Sequence, residues 1–149
     1  MAFCVEQSHE DFCRHLMESI NRPGQFPHHI HCQLTRVTPE GETVGMLEVV
    51  PENLNPWGTV HGGALAALAD TVTGTGVIAA TRCSCVTVSY SINYLRPGTG
   101  SRIICTSRPE KLGKNICVMH ADLTNDKNEL VATTEFTFCV LDPLNKETI

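Results

Sequence analysis

The stretch Asn55-Pro56-Trp57-Gly58-Thr59-Val60-His61-Gly62-Gly63 runs straight into an apolar segment, His61 to about Ala80, whose only charge is Asp70. If that segment is a helix, its first amides lack internal partners and carry the positive end of the helix dipole. Gly62 and Gly63 bring no side chains, so a ligand carbonyl can approach those amides. That is the construction of an oxyanion hole. Asn55 supplies a side-chain amide just upstream, and His61 sits at the mouth. Asp70 is costly in such a helix unless it is paired or employed. A desolvated carboxylate suits the removal of a proton from water. The alternative is a bond to a nearby hydroxyl (Thr71 and Thr73 are on offer) or to a partner helix. Gly62 and Asp70 are eight positions apart, which is about 12 Å along a straight helix. One reacting carbon cannot touch both. If both act, Asp70 comes from a second chain, and the protein is a two-fold dimer with two shared sites.

Other residues could do different chemistry. Eight cysteines stand at 4, 13, 32, 83, 85, 105, 117 and 139. There is no Cys-x-x-Cys pair; Cys83-Ser84-Cys85 is the tightest spacing, a poor match to zinc sites. Cys105, Cys117 and Cys139 fall in apolar stretches and read as small core residues. His28, His29 and His31 sit in a short segment beside Cys32 without an acid at ligand spacing. The expectation is therefore no metal and no disulfides. Residues 96–115 hold Arg96, Arg102, Arg108, Lys111 and Lys114 against Glu110. That segment is +4 in a chain of net charge −5, leaving −9 elsewhere. Such a strip suits a small anionic ligand, or is a solvated strand-and-turn face.

The elements that must position these residues follow from periodicity. Ser8 caps a helix to Ile20 with Phe12, Leu16 and Ile20 on one stripe, ended by Asn21-Arg22-Pro23-Gly24. His31–Val37 and Thr43–Val50 flank the turn Thr38-Pro39-Glu40-Gly41 and make a hairpin. A loop from Pro51 to Gly58 leads to the long buried helix, whose last turns the glycines near Thr75 leave open. Val86, Val88, Tyr90, Ile92 and Tyr94 then alternate with Thr87, Ser89, Ser91 and Asn93, a period-two strand. Arg102–Arg108, Ile116–Leu123 and Leu130–Val140 are three more strands. Residues 110–115 read as a basic turn, and Asn125–Asn128 as a tight one. The order is helix, two strands, buried helix, four strands. It predicts an α+β domain over 1–149, an antiparallel sheet wrapped round one central helix, with 1–30 as a helical extension. One sheet cannot cover that helix on all sides, so its outer side and the sheet edges call for a partner.

Asn-x-x-Gly-x-x-His-Gly-Gly with an acid nine residues after the His resembles the hotdog-fold acyl-CoA thioesterases, over about residues 30–140. The branch it resembles is that of the phenylacetate-degradation thioesterases and the human-type thioesterase-superfamily proteins. The resemblance implies hydrolysis of an acyl-CoA thioester. Asn55 and the Gly62 amide would polarise the carbonyl, His61 would organise the loop, and Asp70 of the other chain would activate water or attack directly. Thr87 falls where the family places a water-orienting hydroxyl, with Ser89 as the fallback. Gly63 and Trp57 would border the substrate; Trp57 either lines the acyl path or packs the loop. Arg96, Arg108, Lys111, Lys114 and Asn115 become candidates for the phosphates of coenzyme A, which enters only as part of the substrate. Self-association as a dimer, or a dimer of dimers, is implied, and no separate cofactor.

Length, composition and charge narrow the field. With 149 residues, 42% apolar and 18% charged, the chain makes one folded domain. It holds no unbroken run of 18 apolar residues, and Met-Ala-Phe-Cys-Val-Glu-Gln lacks the pattern of a signal peptide, so the expectation is a cytoplasmic protein with no membrane partner. An acidic chain is a poor nucleic-acid binder. Two rivals stay open: a hydroxyacyl-thioester dehydratase using His61 and Asp70, and a non-catalytic acyl-CoA-binding protein.

Overall fold

A computed structural model describes residues 7–145 and 147–149. Cys4 and most of the amino-terminal stretch weighed as a signal peptide lie outside the described residues.

Each element grows from its local sequence. Helix α1 (His9–Ile20) starts at Ser8, whose hydroxyl accepts from the Asp11 amide. Phe12, Cys13 and Leu16 form its buried face. That face packs on Ala79 near the end of the central helix and on Val37 at the end of the first strand, so the helix covers one edge of the sheet as well. His9 Nε2–H donates to the Ala79 carbonyl at 2.6 Å, and the Arg82 guanidinium lies 5.1 Å over the Phe12 ring. After Pro23-Gly24 comes a single turn, α2 (Phe26–His29), with proline in its first turn. His28 and His29 therefore sit on a helical turn, where the sequence suggests a loop. His31, at φ 60°, then swings the chain into the sheet.

Six strands form one antiparallel sheet: β1 (Cys32–Val37), β2 (Thr43–Glu48), β3 (Cys83–Tyr94), β4 (Arg102–Leu112), β5 (Ile116–Asn125) and β6 (Leu130–Pro143), in the order β1-β2-β4-β5-β6-β3. β4 is longer than the expected strand ending at Arg108. It continues through Pro109, at a bulge, so that Glu110 and Lys111 are strand residues and the turn shrinks to 113–115. Helix α3 (Gly62–Thr81) lies against all six strands. Leu65, Leu68, Val72 and Val77 meet Leu34, Leu47, Ile103, Met119, Leu123, Phe136 and Phe138 in one core. By length and composition α3 could cross a membrane, but the sheet wraps it as a core helix. Its glycines do not end it early. Gly76 admits the backbone of the β1–β2 turn: a Cβ there would stand 2.5 Å from the Gly41 carbonyl. The helix stops only at Arg82, in the left-handed conformation.

Among the described residues, a stripe of α3 and the β3 edge stay uncovered. Ala67, Asp70, Thr71, Gly74 and Ile78 form a half-exposed stripe on α3. β3 is an edge strand of 12 residues with no charge and no proline. Val86 and Val88 on it are 50% and 59% exposed.

Candidate active site

The turn before α3 is built around Asn55. Its Oδ1 accepts from the amides of Trp57 and Thr59, and its Nδ2 donates to the Thr59 hydroxyl at 2.8 Å. One Nδ2 proton remains for a ligand. Trp57 at the tip is 84% exposed, so packing of the loop is not what holds it. Asn53 ties the turn to its surroundings. Its carbonyl accepts from the His61 amide, and its side chain donates to the carbonyls of Ile30 and Glu48.

His61 caps α3. Its Nδ1 accepts from the Gly63 amide at 2.8 Å, so the ring organises the helix start. The Gly62 amide has no acceptor among the described residues, whereas Gly63 has spent its own on His61. The glycines serve packing as well as access. A Cβ on Gly62 would lie 3.3 Å from Cζ of Tyr94, and one on Gly63 would lie 3.0 Å from His61 Nδ1. The Tyr94 hydroxyl donates to the Gly62 carbonyl at 2.8 Å. Tyr94 is a site residue that the sequence does not single out: alternation marks it only as an inward apolar position. Burial pushes its phenol above the usual range, which keeps it a donor.

Asp70 lies half-buried two turns along α3, and the Thr87 hydroxyl donates to its Oδ1 at 2.6 Å. The pairing depends on an irregularity in β3. Register shifts between Thr87 and Ser89, so Val88 bulges. Tyr90, Ile92 and Tyr94 pair with the inward residues of β6, and so does Thr87, opposite Phe138. Ser89 pairs with Thr137 on the other face. The bulge thus reverses the phase of the strand and turns Thr87 toward α3.

The cationic candidates separate. Arg96 borders a cleft of about 350 Å³ with Asn55, Gly62 and Tyr94, and donates to the Leu130 carbonyl. Lys114 and Asn115 lie in the β4–β5 turn, at the Thr87 end of β3; the Asn115 carbonyl accepts from Val140. Lys111 lies just before that turn. Arg108 is elsewhere. It pairs with Glu110 and borders a recess with His120 and Asp122, away from Asp70 and Gly62. No three His, Cys, Asp or Glu side chains come together to hold a metal among the described residues.

Gly62 and Asp70 thus share one unbroken helix, and the separation of about 12 Å expected from their spacing stands. A single chain offers the amide end and the carboxylate end as two half-sites.

Known proteins are similar in sequence and in fold. Human acyl-coenzyme A thioesterase 13 is 32% identical over 87 residues, covering 57% of this chain and 62% of that one, under two thirds of its length. A hypothetical thioesterase protein of Streptococcus pneumoniae, solved with coenzyme A, is 30% identical with a TM-score of 0.72, covering 76% of this chain and 91% of that one. It has also been solved with one aspartate and, separately, one threonine changed to alanine. The Escherichia coli PaaI protein of the phenylacetic acid degradation operon superposes with a TM-score of 0.82 over 93% of this chain and 98% of that one; at 21% identity it shows the shared hotdog fold alone. The Thioesterase superfamily model matches residues 57–132, from the Trp57 turn through α3 and β3–β5 into β6. That is just over half of the sequence and holds Gly62, Asp70 and Thr87, with Asn55 two residues before its start, and the chain belongs to the thioesterase superfamily.

Proposed function

We propose that this protein hydrolyses acyl-CoA thioesters to a free acid and coenzyme A, in sites each shared by two copies of the chain. The observation that carries the reading is the Thr87–Asp70 hydrogen bond, on the same helix that presents an uncommitted Gly62 amide. A coenzyme A thioesterase among the relatives, and coenzyme A bound to a structural neighbour, support the substrate class.

The thioester carbonyl oxygen lies at the Gly62 amide and the remaining Nδ2 proton of Asn55. Asp70 of the second copy takes a proton from water as the water oxygen bonds to the carbonyl carbon. The resulting oxyanion is held by the amides and the helix dipole, and losing one such donor costs about 10²–10³ in rate. Collapse breaks the carbon–sulfur bond, and the departing thiolate takes the proton. Direct attack by Asp70, through a mixed anhydride, is the competing route to the same products. The Thr87 proton is already given to Asp70, so Thr87 positions the carboxylate; the water is held by the carboxylate's free oxygen.

The second copy follows from the edge of the sheet. β1, the other edge, is short, bulged and guarded by Arg36 paired with Glu42. β3 is long and uncharged, with Val86 and Val88 exposed, the edge that invites another strand. Two copies pairing there about a two-fold axis bring the half-exposed stripes of α3 together, with Asp70 of each near Gly62 of the other. Arg96, Lys111, Lys114 and Asn115 then flank one site as candidates for the coenzyme A phosphates.

The test is thiol release from a panel of acyl-CoA thioesters, acetyl to palmitoyl with phenylacetyl and benzoyl, beside Asp70→Asn. Release that vanishes in the variant supports the reading. Binding without release from any thioester, by a folded dimer, overturns it in favour of a non-catalytic binder.

A further inference from the structure

Two recesses flank the start of α3, and they differ in the sign of the charge at their rims. The first is the cleft of about 350 Å³ that Val60, Leu65, Tyr94, Leu95 and Pro97 line beside Asn55 and Gly62, and its one formal charge among the described residues is Arg96. The second, of about 250 Å³, opens on the other side of His61 and Gly63. Phe26 and Ile30 of the α2 region, Leu54, Ala64 and Ala67 give it an apolar wall opposite Asn53 and His61. Its one formal charge is the carboxylate of Glu52.

A thioester of coenzyme A has an anionic end and a neutral acyl end. Glu52 repels phosphate, and Arg96 attracts it. We propose that the second recess holds the acyl group, and that Phe26 and Ile30 set the length of acyl chain the protein accepts. This rests on the hydrolase reading for the placement of the carbonyl at the helix start.

Three observations carry it. First, Phe26 is 62% exposed at the rim, a large apolar ring with little of its own chain over it. Second, the wall is fixed to the chemistry. Asn53, 4% exposed, donates from one side chain to Ile30 and Glu48 while its carbonyl holds the His61 amide, so α2 and the α3 start are tied through a single buried residue. Third, the size is limiting. An enclosed apolar cavity of about 150 Å³ holds benzene, so a recess of about 250 Å³, open at its rim and meeting the second copy at Ala67, covers at most roughly eight to ten carbons. That admits medium straight chains and arylacetyl groups and leaves the tail of a palmitoyl group outside. α1, α2, β1 and β2 all precede the stretch matched by the superfamily model, so this wall is supplied by a part of the chain outside it.

The experiment uses non-cleavable S-alkyl thioethers of coenzyme A, ethyl to dodecyl, titrated by calorimetry into the wild type, Phe26→Ala and Ile30→Trp. Thiol release from the matching acyl-CoA series is measured in parallel. In the wild type affinity rises about fourfold per methylene to roughly eight carbons and then levels. Phe26→Ala weakens hexyl and octyl thioethers by about tenfold and leaves ethyl unchanged, which also shows that the variant is folded. Ile30→Trp moves the levelling point to about four carbons. An identical length profile in all three proteins, or affinity that keeps rising through dodecyl, overturns the proposal. Absence of thiol release sinks the hydrolase reading instead, and the thioether profile still decides the pocket.

Discussion

Replacing Thr87 by valine removes one hydroxyl and keeps the branched shape that a strand favours. Thr87 is exposed, so little packing is lost. What disappears is the 2.6 Å hydrogen bond to Asp70. A hydrogen bond to a charged group is worth about 1.5–3 kcal/mol, and with water able to take part of its place kcat should fall about 10- to 100-fold. KM should change little, because the proposed substrate contacts are at the helix start and the cationic groups and not at Thr87. Asp70→Asn removes the base itself and should cost about 10²–10⁴. The decisive comparison is the double variant. If Thr87 acts only through Asp70, adding Thr87→Val to Asp70→Asn costs nothing further. Thr87→Ser should restore most of the rate. Steady-state thiol release on the best substrate of the panel gives all of these values. A Thr87→Val protein within twofold of the wild type, or full additivity in the double variant, would refute the assignment.

Three further outcomes follow from the packing. Gly76→Ala places a methyl 2.5 Å from the Gly41 carbonyl and 2.7 Å from Met119 Cε, so overpacking of about 1–3 kcal/mol outweighs the gain in helix propensity of about 1 kcal/mol. Thermal unfolding should show a lower Tm, and an unchanged or higher one would mean that the β1–β2 turn yields freely. Burial pushes the Cys32 thiol from 9.0 up to about 12, so the folded state keeps its proton longer than the unfolded chain. The stability this thiol contributes is whole below pH 9 and is lost as pH rises toward 12, at up to about 1.4 kcal/mol per pH unit. Urea midpoints between pH 7 and 11 should fall above pH 9, and less steeply in Cys32→Ala; equal slopes would remove Cys32 as the cause. Charging the open edge with Val86→Lys and Val88→Lys together should give a folded monomer by sedimentation that releases no thiol, whereas an active monomer would end the shared-site reading.

How far the sequence can be read turns on particular residues. Ser8, the Thr38–Gly41 turn and the alternation of β6 declare themselves locally, and the structure has each element they predict. Asn55, His61 and Gly62 are legible because loop, cap and helix start are adjacent in the chain. α2 is not, since one turn of four residues has no period to detect, and neither is Asn53, whose partners at Ile30 and Glu48 lie on other elements. The instructive case is Thr87. Strict alternation puts it on the face opposite Tyr90 and Tyr94, hence away from α3. The resemblance to a family puts its hydroxyl at the site. Both cannot hold in a regular strand, and the conflict is resolved by a single bulged residue, Val88. A period of two fixes which face a side chain takes only as far as the next bulge, and bulges carry no composition signal strong enough to see in one sequence. The conflict itself is nonetheless written in the sequence: an inward Thr87 beside inward Tyr90 and Tyr94 demands an odd residue inserted between Thr87 and Tyr90. Where a chemical motif and a periodicity disagree about a face, their disagreement locates the irregularity.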